Sequence, residues 1–438
     1  MNNRALLAVA VLSILAAACG STTVEPAPVV TQPAPAAPAP TAPATIEKPA
    51  APLDHGKPST TYPAFTPAMG QLVSNGGSVL KNPVIVTVTW PGDTQATDLE
   101  TFGDTVGAGS YWKAVTSEYG AAAATSGADD HVHITDAAPA SITDTELNSF
   151  VAAQLSKTDG TAWPTPATGN PVYILYLPRT TTLMLQGQSA CAQGVGGYHD
   201  STKVNGVSVA YAIVPRCGNS SLDVTTLSAS HELAEAATDP YPRSRPAFSG
   251  FRDVDLAWEF FQQFQSENGD ACEFYRDSEL APADSDLQFT VQRQWSNKSA
   301  AAGHDPCVPM FPGETYFNVT PLNTEDIAVD LSALGGDAAT MTKGYKIKVG
   351  DKRTIPLGFY SDGPLTDWTI KAVTGGIAGG RSSSSGADLE LDVTTGQNGQ
   401  KAYLTVTVNT AGKTNSELIT IVSTRNGTSH YMPILIGN

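Results

Sequence analysis

Charge is scarce in this sequence, and positive charge is scarcer still. Only 15% of the 438 residues are charged, and 42 acidic against 25 basic residues give a formal net charge of -17. A chain of that sign lacks the basic footprint that phosphate backbones require, which excludes nucleic acid as a partner. Long apolar runs are missing too. The stretch from Ala5 to Ala18 is the only sustained one, and it is too short to span a bilayer as a helix. Cysteine is sparse, five residues with no C-x-x-C pair, so the spacing of a cysteine-rich zinc site is absent.

What is present begins with an address. A short polar start, Met1 to Arg4, precedes the apolar run, which ends in Ala16-Ala17-Ala18-Cys19. This reads as a secretory signal over residues 1–18. Its end resembles a bacterial lipoprotein signal in which Cys19 is lipidated, although Ala16 stands where leucine is usual. Cleavage after Ala18 without lipidation is the alternative, since the small-residue rule is also met. The expected location is extracytoplasmic, on a lipid anchor in a bacterial membrane or otherwise secreted. Residues 19–58, rich in Ala, Pro and Thr, read as a semi-rigid extended linker. The four remaining cysteines fit an oxidising compartment. Pairing neighbours, Cys191 with Cys217 and Cys272 with Cys307, closes one irregular segment each; zinc ligation is the alternative use.

Between 59 and 310, strand-like and helix-like segments alternate. Pro83 to Trp90, Pro171 to Leu177 and Val207 to Val214 are apolar and β-branched, as buried strands are. Ser110 to Tyr119 and Ser141 to Leu155 carry helical spacing, the latter opening on capping-type residues. His131 to Ile134 reads as a short strand, whose two histidines are taken as structural. Residues 289–297 read as a strand. The expected fold is an α/β, zincin-like domain, a mixed sheet plus a metal-site helix. After about 311 the pattern changes to period-two strands separated by Gly, Asn, Ser and Asp turns, which predicts an antiparallel β-sandwich over 311–438. That accessory module would bind protein or glycan, or act as a spacer.

The chemistry concentrates at His231-Glu232-Leu233-Ala234-Glu235, inside a helix expected from about Asp223 to Asp239 and ended by Pro240. One turn apart, His231 and Glu235 leave the same helical face and can hold one divalent ion. Glu232 points elsewhere, where a carboxylate can act as general base without being a ligand. Metallopeptidases use H-E-x-x-H, and Glu235 occupies the place of the second histidine. Downstream, Glu267-Asn268-Gly269-Asp270 supplies acids for a third ligand, Glu267 ranked ahead of Asp270, with His199 and Asp239 as further candidates. A solvated helix with a His/Glu pair is the bland alternative.

Ser230 to Pro240, Glu267 to Cys272, Cys191 to His199, Tyr211 to Cys217 and Gln294 to Asn297 together resemble the EXORDIUM-like (phosphate-induced) family and its secreted bacterial relatives. The resemblance covers about residues 83–307. It implies an extracellular protein and no particular activity, so function rests on the residues. Two readings follow. One is a zinc-dependent hydrolase of peptidase type, acting on an extracytoplasmic protein, peptide or glycan, with His231 and Glu235 as ligands and Glu232 as base. The other is a non-catalytic, surface-anchored binding protein on a zincin-like scaffold. An acid beside the ligands is needed only by the first. Glutamate in place of histidine adds negative charge to the ion's shell, which makes a bound water less acidic and the site slower.

Overall fold

The computed structural model describes residues 52–437, except 166–169, 219, 265, 274, 276, 377–385, 411 and 413. The signal, Cys19 and most of the expected linker therefore lie outside the described residues. One sheet is built from Pro83–Thr89 (β1), His131–His133 (β2), Asn170–Tyr176 (β3), Tyr198–Val204 (β4) and Val207–Val214 (β5). Their order is β2-β1-β3-β5-β4, parallel throughout except for the edge strand β4, which runs antiparallel to β5. Every residue of β1 is buried, because both faces of the sheet are covered.

Side chains alternate between those faces. Ile85, Val172, Ile174, Ala210 and Ala212 pack with Leu99, Phe102, Trp112, Val115 and Leu233, which come from helices Ala96–Val106 (α1), Ser110–Thr116 (α2) and the motif helix. Val86, Val88, Tyr173, Leu175 and Ile213 pack with Leu147 and Val151 of helix Asp144–Leu155 (α3) on the other face. Thr143 opens α3 with a capping box to Glu146, so Ser141–Thr143 is a short strand rather than the start of the helix. The motif helix, Leu222–Thr238 (α4), starts at the N-cap Ser221, whose side chain accepts from the Val224 N–H. It is buried without interruption from Ala229 to Thr238.

The C-terminal part contains a four-stranded and a six-stranded sheet that share one apolar core, with Phe317, Ile355 and Phe359 meeting Trp368, Ile421 and Met432. The pairing is not wholly antiparallel, since Thr340–Lys346 runs parallel to Thr428–Gly437. The expected boundary near 310 marks this change of sheet type but not a break in packing. Phe251, Trp258, Phe261 and Trp295 belong to the same core as the C-terminal sheets, and the Phe261 ring lies 5.8 Å from that of Tyr431. Nor does the expected linker reach 58. The Lys401 N–H already donates to the His55 carbonyl and the Ser59 N–H to that of Asn398. Among the described residues no helix is long and apolar enough to cross a membrane.

Both disulfides join the expected neighbours, Cys191 to Cys217 and Cys272 to Cys307, across 26 and 35 residues. In the chain-entropy model each is worth about 3–4 kcal/mol, and they support the expectation of an extracytoplasmic environment. The strand expected over 289–297 divides into Val291–Gln292 and Gln294–Trp295, which pair with different partners. The cause is Arg293, whose side chain is fully buried. Its guanidinium donates to the carbonyls of Asp277, Cys307 and Pro309 and to Asp305, while lying over the Phe311 ring. Arg293→Ala leaves these acceptors buried and unpaired, and should cost about 3–5 kcal/mol. Urea unfolding reads this as a lower midpoint at unchanged slope, and a loss below about 1 kcal/mol would contradict it.

Candidate metal centre

Glu235 lies on the buried face of α4, 3% exposed, and its two carboxylate oxygens have different surroundings. Oε1 accepts the backbone N–H groups of Gly269 and Asp270 at 3.1 and 3.0 Å. Oε2 faces two imidazoles, 3.2 Å from His231 Nε2 and 3.4 Å from His199 Nδ1. The loop that supplies the N–H donors is itself pinned. Asn268 Oδ1 accepts from Thr238, its amide donates to the Val115 carbonyl, and its own carbonyl accepts the Trp295 N–H. Gly269 is required there, because a Cβ would stand 2.8 Å from Glu235 Oε1 and 2.9 Å from His231 Nδ1.

His231 has its tautomer set by a residue that the sequence reading passed over. Gln292 donates from Nε2 to the Gly269 carbonyl at 2.8 Å, which turns Oε1 toward His231 Nδ1 at 2.9 Å. A carbonyl oxygen only accepts, so Nδ1 carries a proton and Nε2 is the nitrogen that faces Glu235 and Asp270 Oδ1, the latter 3.6 Å away. His199, on β4, is arranged in mirror fashion. Its Nε2 donates to the Asp239 carbonyl at 3.0 Å and lies 3.3 Å from Glu267 Oε2, which leaves Nδ1 facing Glu235 and, at 3.6 Å, Glu232. Gly197 lets this strand approach α4, since a Cβ there would lie 2.6 Å from Glu232 Oε1.

Two groups of ligand-type atoms result, each gathered within 4.8 Å: His231 with Glu235 and Asp270, and His199 with Glu235 and Glu267. His231, Glu235 and Asp270 therefore meet as expected. Glu267, ranked ahead of Asp270 from the sequence, keeps company with His199 instead. Glu232 falls outside both groups. Asp239 takes part through its backbone carbonyl, and its carboxylate accepts the Ala247 N–H at 2.7 Å. His131 and His133 sit on the opposite edge strand, paired with Asp104 at 3.0 Å and Glu100 at 3.3 Å.

The electrostatics describe a cluster short of positive charge. Burial alone would push both imidazoles down. The Glu267, Glu232 and Glu235 carboxylates outweigh it at His199, and Glu235, Glu232 and Asp270 do so at His231, so both stand well above the usual histidine range. Burial would raise Glu235, yet the two imidazoles hold it well below the ordinary carboxylate range. Burial dominates elsewhere: Glu232 is raised, Asp239 is pushed up to about 6, and Glu267, with other carboxylates adding to the effect, lies well above its usual value.

This donor set fits a divalent cation. The imidazole–carboxylate spacings within the two groups, 3.2 to 3.6 Å, exceed the ~2.7–2.9 Å of a charge-assisted hydrogen bond. They match instead the roughly 3.3–3.4 Å edge of a tetrahedron with bonds of about 2.0–2.1 Å, the zinc geometry. Glu267 Oε2 is buried with no hydrogen-bond partner among the described residues, its ion-pair contact being His199 Nε2 at 3.3 Å.

No known family model matches this chain, and no curated protein does. Among solved structures the chain is similar to titin M4 (12% identity over 22% of this chain and 84% of that one, TM-score 0.15). It is also similar to the titin M3 domain (8%, 22% and 85%, TM-score 0.15) and to a complex of titin M10 with obscurin-like 1 Ig (9%, 27% and 94%, TM-score 0.14). Scores this low carry no argument about fold or site.

Gln292→Leu removes the acceptor that fixes the His231 tautomer. Zinc affinity, read by competition with a chelator, should fall about 10–100-fold. An unchanged affinity would show that His231 is oriented by something else.

Proposed function

We propose that this chain is a secreted zinc-dependent hydrolase of peptidase type on a zincin-like scaffold, carried on an N-terminal lipid at Cys19. On this reading it is a bacterial relative of the EXORDIUM-like family. The observation that carries the reading is the meeting of His231 Nε2, Glu235 Oε2 and Asp270, with the far nitrogen of His231 locked by Gln292. A sheet followed by a buried metal helix is the order such peptidases have, and two disulfides suit an extracytoplasmic enzyme.

His231, Glu235 and Asp270 would hold the ion. Bound there, zinc supplies a Lewis acid for a substrate carbonyl and makes water more acidic. The remaining work belongs to the chain. Glu232 is 4% exposed and belongs to neither ligand group, and burial lifts its carboxyl above the ordinary range, toward that of a working general base. His199 Nδ1 lies 3.6 Å from Glu232, close enough to orient it. His199 itself lies on the edge strand β4. Gly269 and Asp270 N–H groups keep Glu235 from turning its bonded oxygen into the site.

One observation favours the alternative, a non-catalytic surface-anchored binding protein: the site is deeply buried, with only Asp270 and Glu267 side chains exposed beyond a tenth, at 22% and 14%, apart from His231 at 11%. Two substitutions separate the readings. Glu232→Gln should keep bound zinc while costing at least about 100-fold in turnover of a mixed peptide library. His231→Ala should lower bound zinc and turnover together. Zinc retained by a wild type that cleaves nothing transfers the case to the binding protein.

A further inference from the structure

Away from the motif helix, a second place in the fold gathers polar groups that the chain itself leaves unused. Where the segment after Cys307 meets the C-terminal hairpin there is a cavity of about 240 Å³. Two tight turns shape it. Asn426 and Gly427, both at positive φ, close the hairpin and set Arg425 directly opposite Thr428. Gly313, also at positive φ, bends the chain so that the Glu314 N–H donates to the Phe311 carbonyl. Arg425 and Glu314 both line the cavity, yet neither forms an ion pair among the described residues. The Arg425 guanidinium donates to Thr366 Oγ1 at 3.0 Å, which leaves most of its donors unspent. Asp305, also in the wall, has both oxygens engaged, one by the Arg293 guanidinium and one by the Cys307 N–H. Burial raises the Glu314 carboxyl above its usual value, against the pull of Arg293 and with Asp277 and Asp305 adding to the effect. An ammonium group beside Glu314 would be favoured there.

His430 is the residue that points to a ligand. It is 3% exposed, and the little surface it has left forms part of the cavity wall. Its ring packs against those of Tyr316 and Phe317, at 4.4 and 4.8 Å, and neither nitrogen has a hydrogen-bond partner among the described residues. Buried polar groups are ordinarily paired. Burial pushes this imidazole down, so it is neutral, with one N–H to give and one lone pair to receive. Met310, Leu365 and Phe317 supply an apolar part of the wall. The structure assigns to this cavity a zwitterionic ligand, a free α-amino acid with an apolar side chain. Arg425 takes its carboxylate, Glu314 its ammonium group and His430 a further hydrogen bond, while the side chain packs on Met310 and Leu365. The volume suits a molecule of that size, since drug-sized ligands occupy about 300–1,000 Å³ and a peptide or glycan chain needs more room. No residue of the cavity is among the candidate metal ligands, so this site and the hydrolase reading stand or fall separately.

The test is equilibrium dialysis of the purified full chain against radiolabelled L-leucine, L-methionine and L-phenylalanine. N-acetyl-L-leucine and L-leucinamide, which lack one charge each, serve as unlabelled competitors. At least one of the three amino acids should bind, and each competitor should be at least about tenfold weaker than unlabelled L-leucine. Arg425→Gln and Glu314→Gln should each weaken binding by about tenfold. His430→Phe, which keeps the ring and removes the nitrogens, should weaken it several-fold. Thermal unfolding identifies any variant that fails to fold; Arg425 and Glu314 are not buried, so their substitutions keep the test readable if His430→Phe does not fold. No retention of any of the three by the folded wild type at millimolar concentration would overturn the site. Binding untouched by both Arg425→Gln and Glu314→Gln would do the same. Competition by the acetylated or amidated analogue as strong as that of L-leucine would overturn the zwitterionic ligand.

Discussion

The structure depends on a buried carboxylate that is not free to turn. Glu235 has one oxygen fixed by two backbone N–H groups and the other directed between two imidazoles. An ionised acid in such a place costs several kcal/mol unless its partners are complete. Its surroundings meet that demand from three separate elements. The helix α4 supplies Glu235 and His231, the edge strand β4 supplies His199, and the loop before Cys272 supplies Asp270 and the N–H donors.

Each element outside the helix is stapled close to the site. Cys191 lies eight residues before His199 and is joined to Cys217, which follows β5 and precedes α4. Cys272 follows Asp270 by two residues and is joined to Cys307. The loop ends are thus held covalently where loops are ordinarily the most mobile parts of a fold. Arg293 adds a polar staple, tying the strand that carries Gln292 to the segment around Cys307. Preorganisation of this kind is what a metal site needs, because loose ligands bind weakly.

Much of this was legible in the residues. The buried strands β1, β3 and β5 and some of the C-terminal ones announced themselves by apolar or alternating runs, and the motif helix by its composition and by Pro240, whereas β4, which carries His199, read as a loop after Gly196-Gly197. Both disulfide pairings followed from proximity along the chain. What escaped was long-range. Gln292 looked like one more strand residue, and nothing local shows that its amide closes between Gly269 and His231. The strand around it was broken by Arg293, whose burial depends on carbonyls contributed by Asp277, Cys307 and Pro309. Glu267 outranked Asp270 on the Glu-x-x-Asp pattern, read as a ligand followed by an orienting acid, whereas the turn of the loop decides which carboxylate meets His231. The packing of Phe251, Trp258 and Phe261 against the C-terminal sheets was equally invisible, since aromatic content does not say what it faces.

The central claim is that Glu235 Oε2 is a metal ligand. Anomalous diffraction at the zinc edge, from crystals of the full chain grown with zinc, tests it most directly. A peak about 2.0–2.2 Å from both Glu235 Oε2 and His231 Nε2 is the result predicted. A fully ordered site with no anomalous density there, and the imidazoles bonded to the carboxylates through their protons, would contradict it.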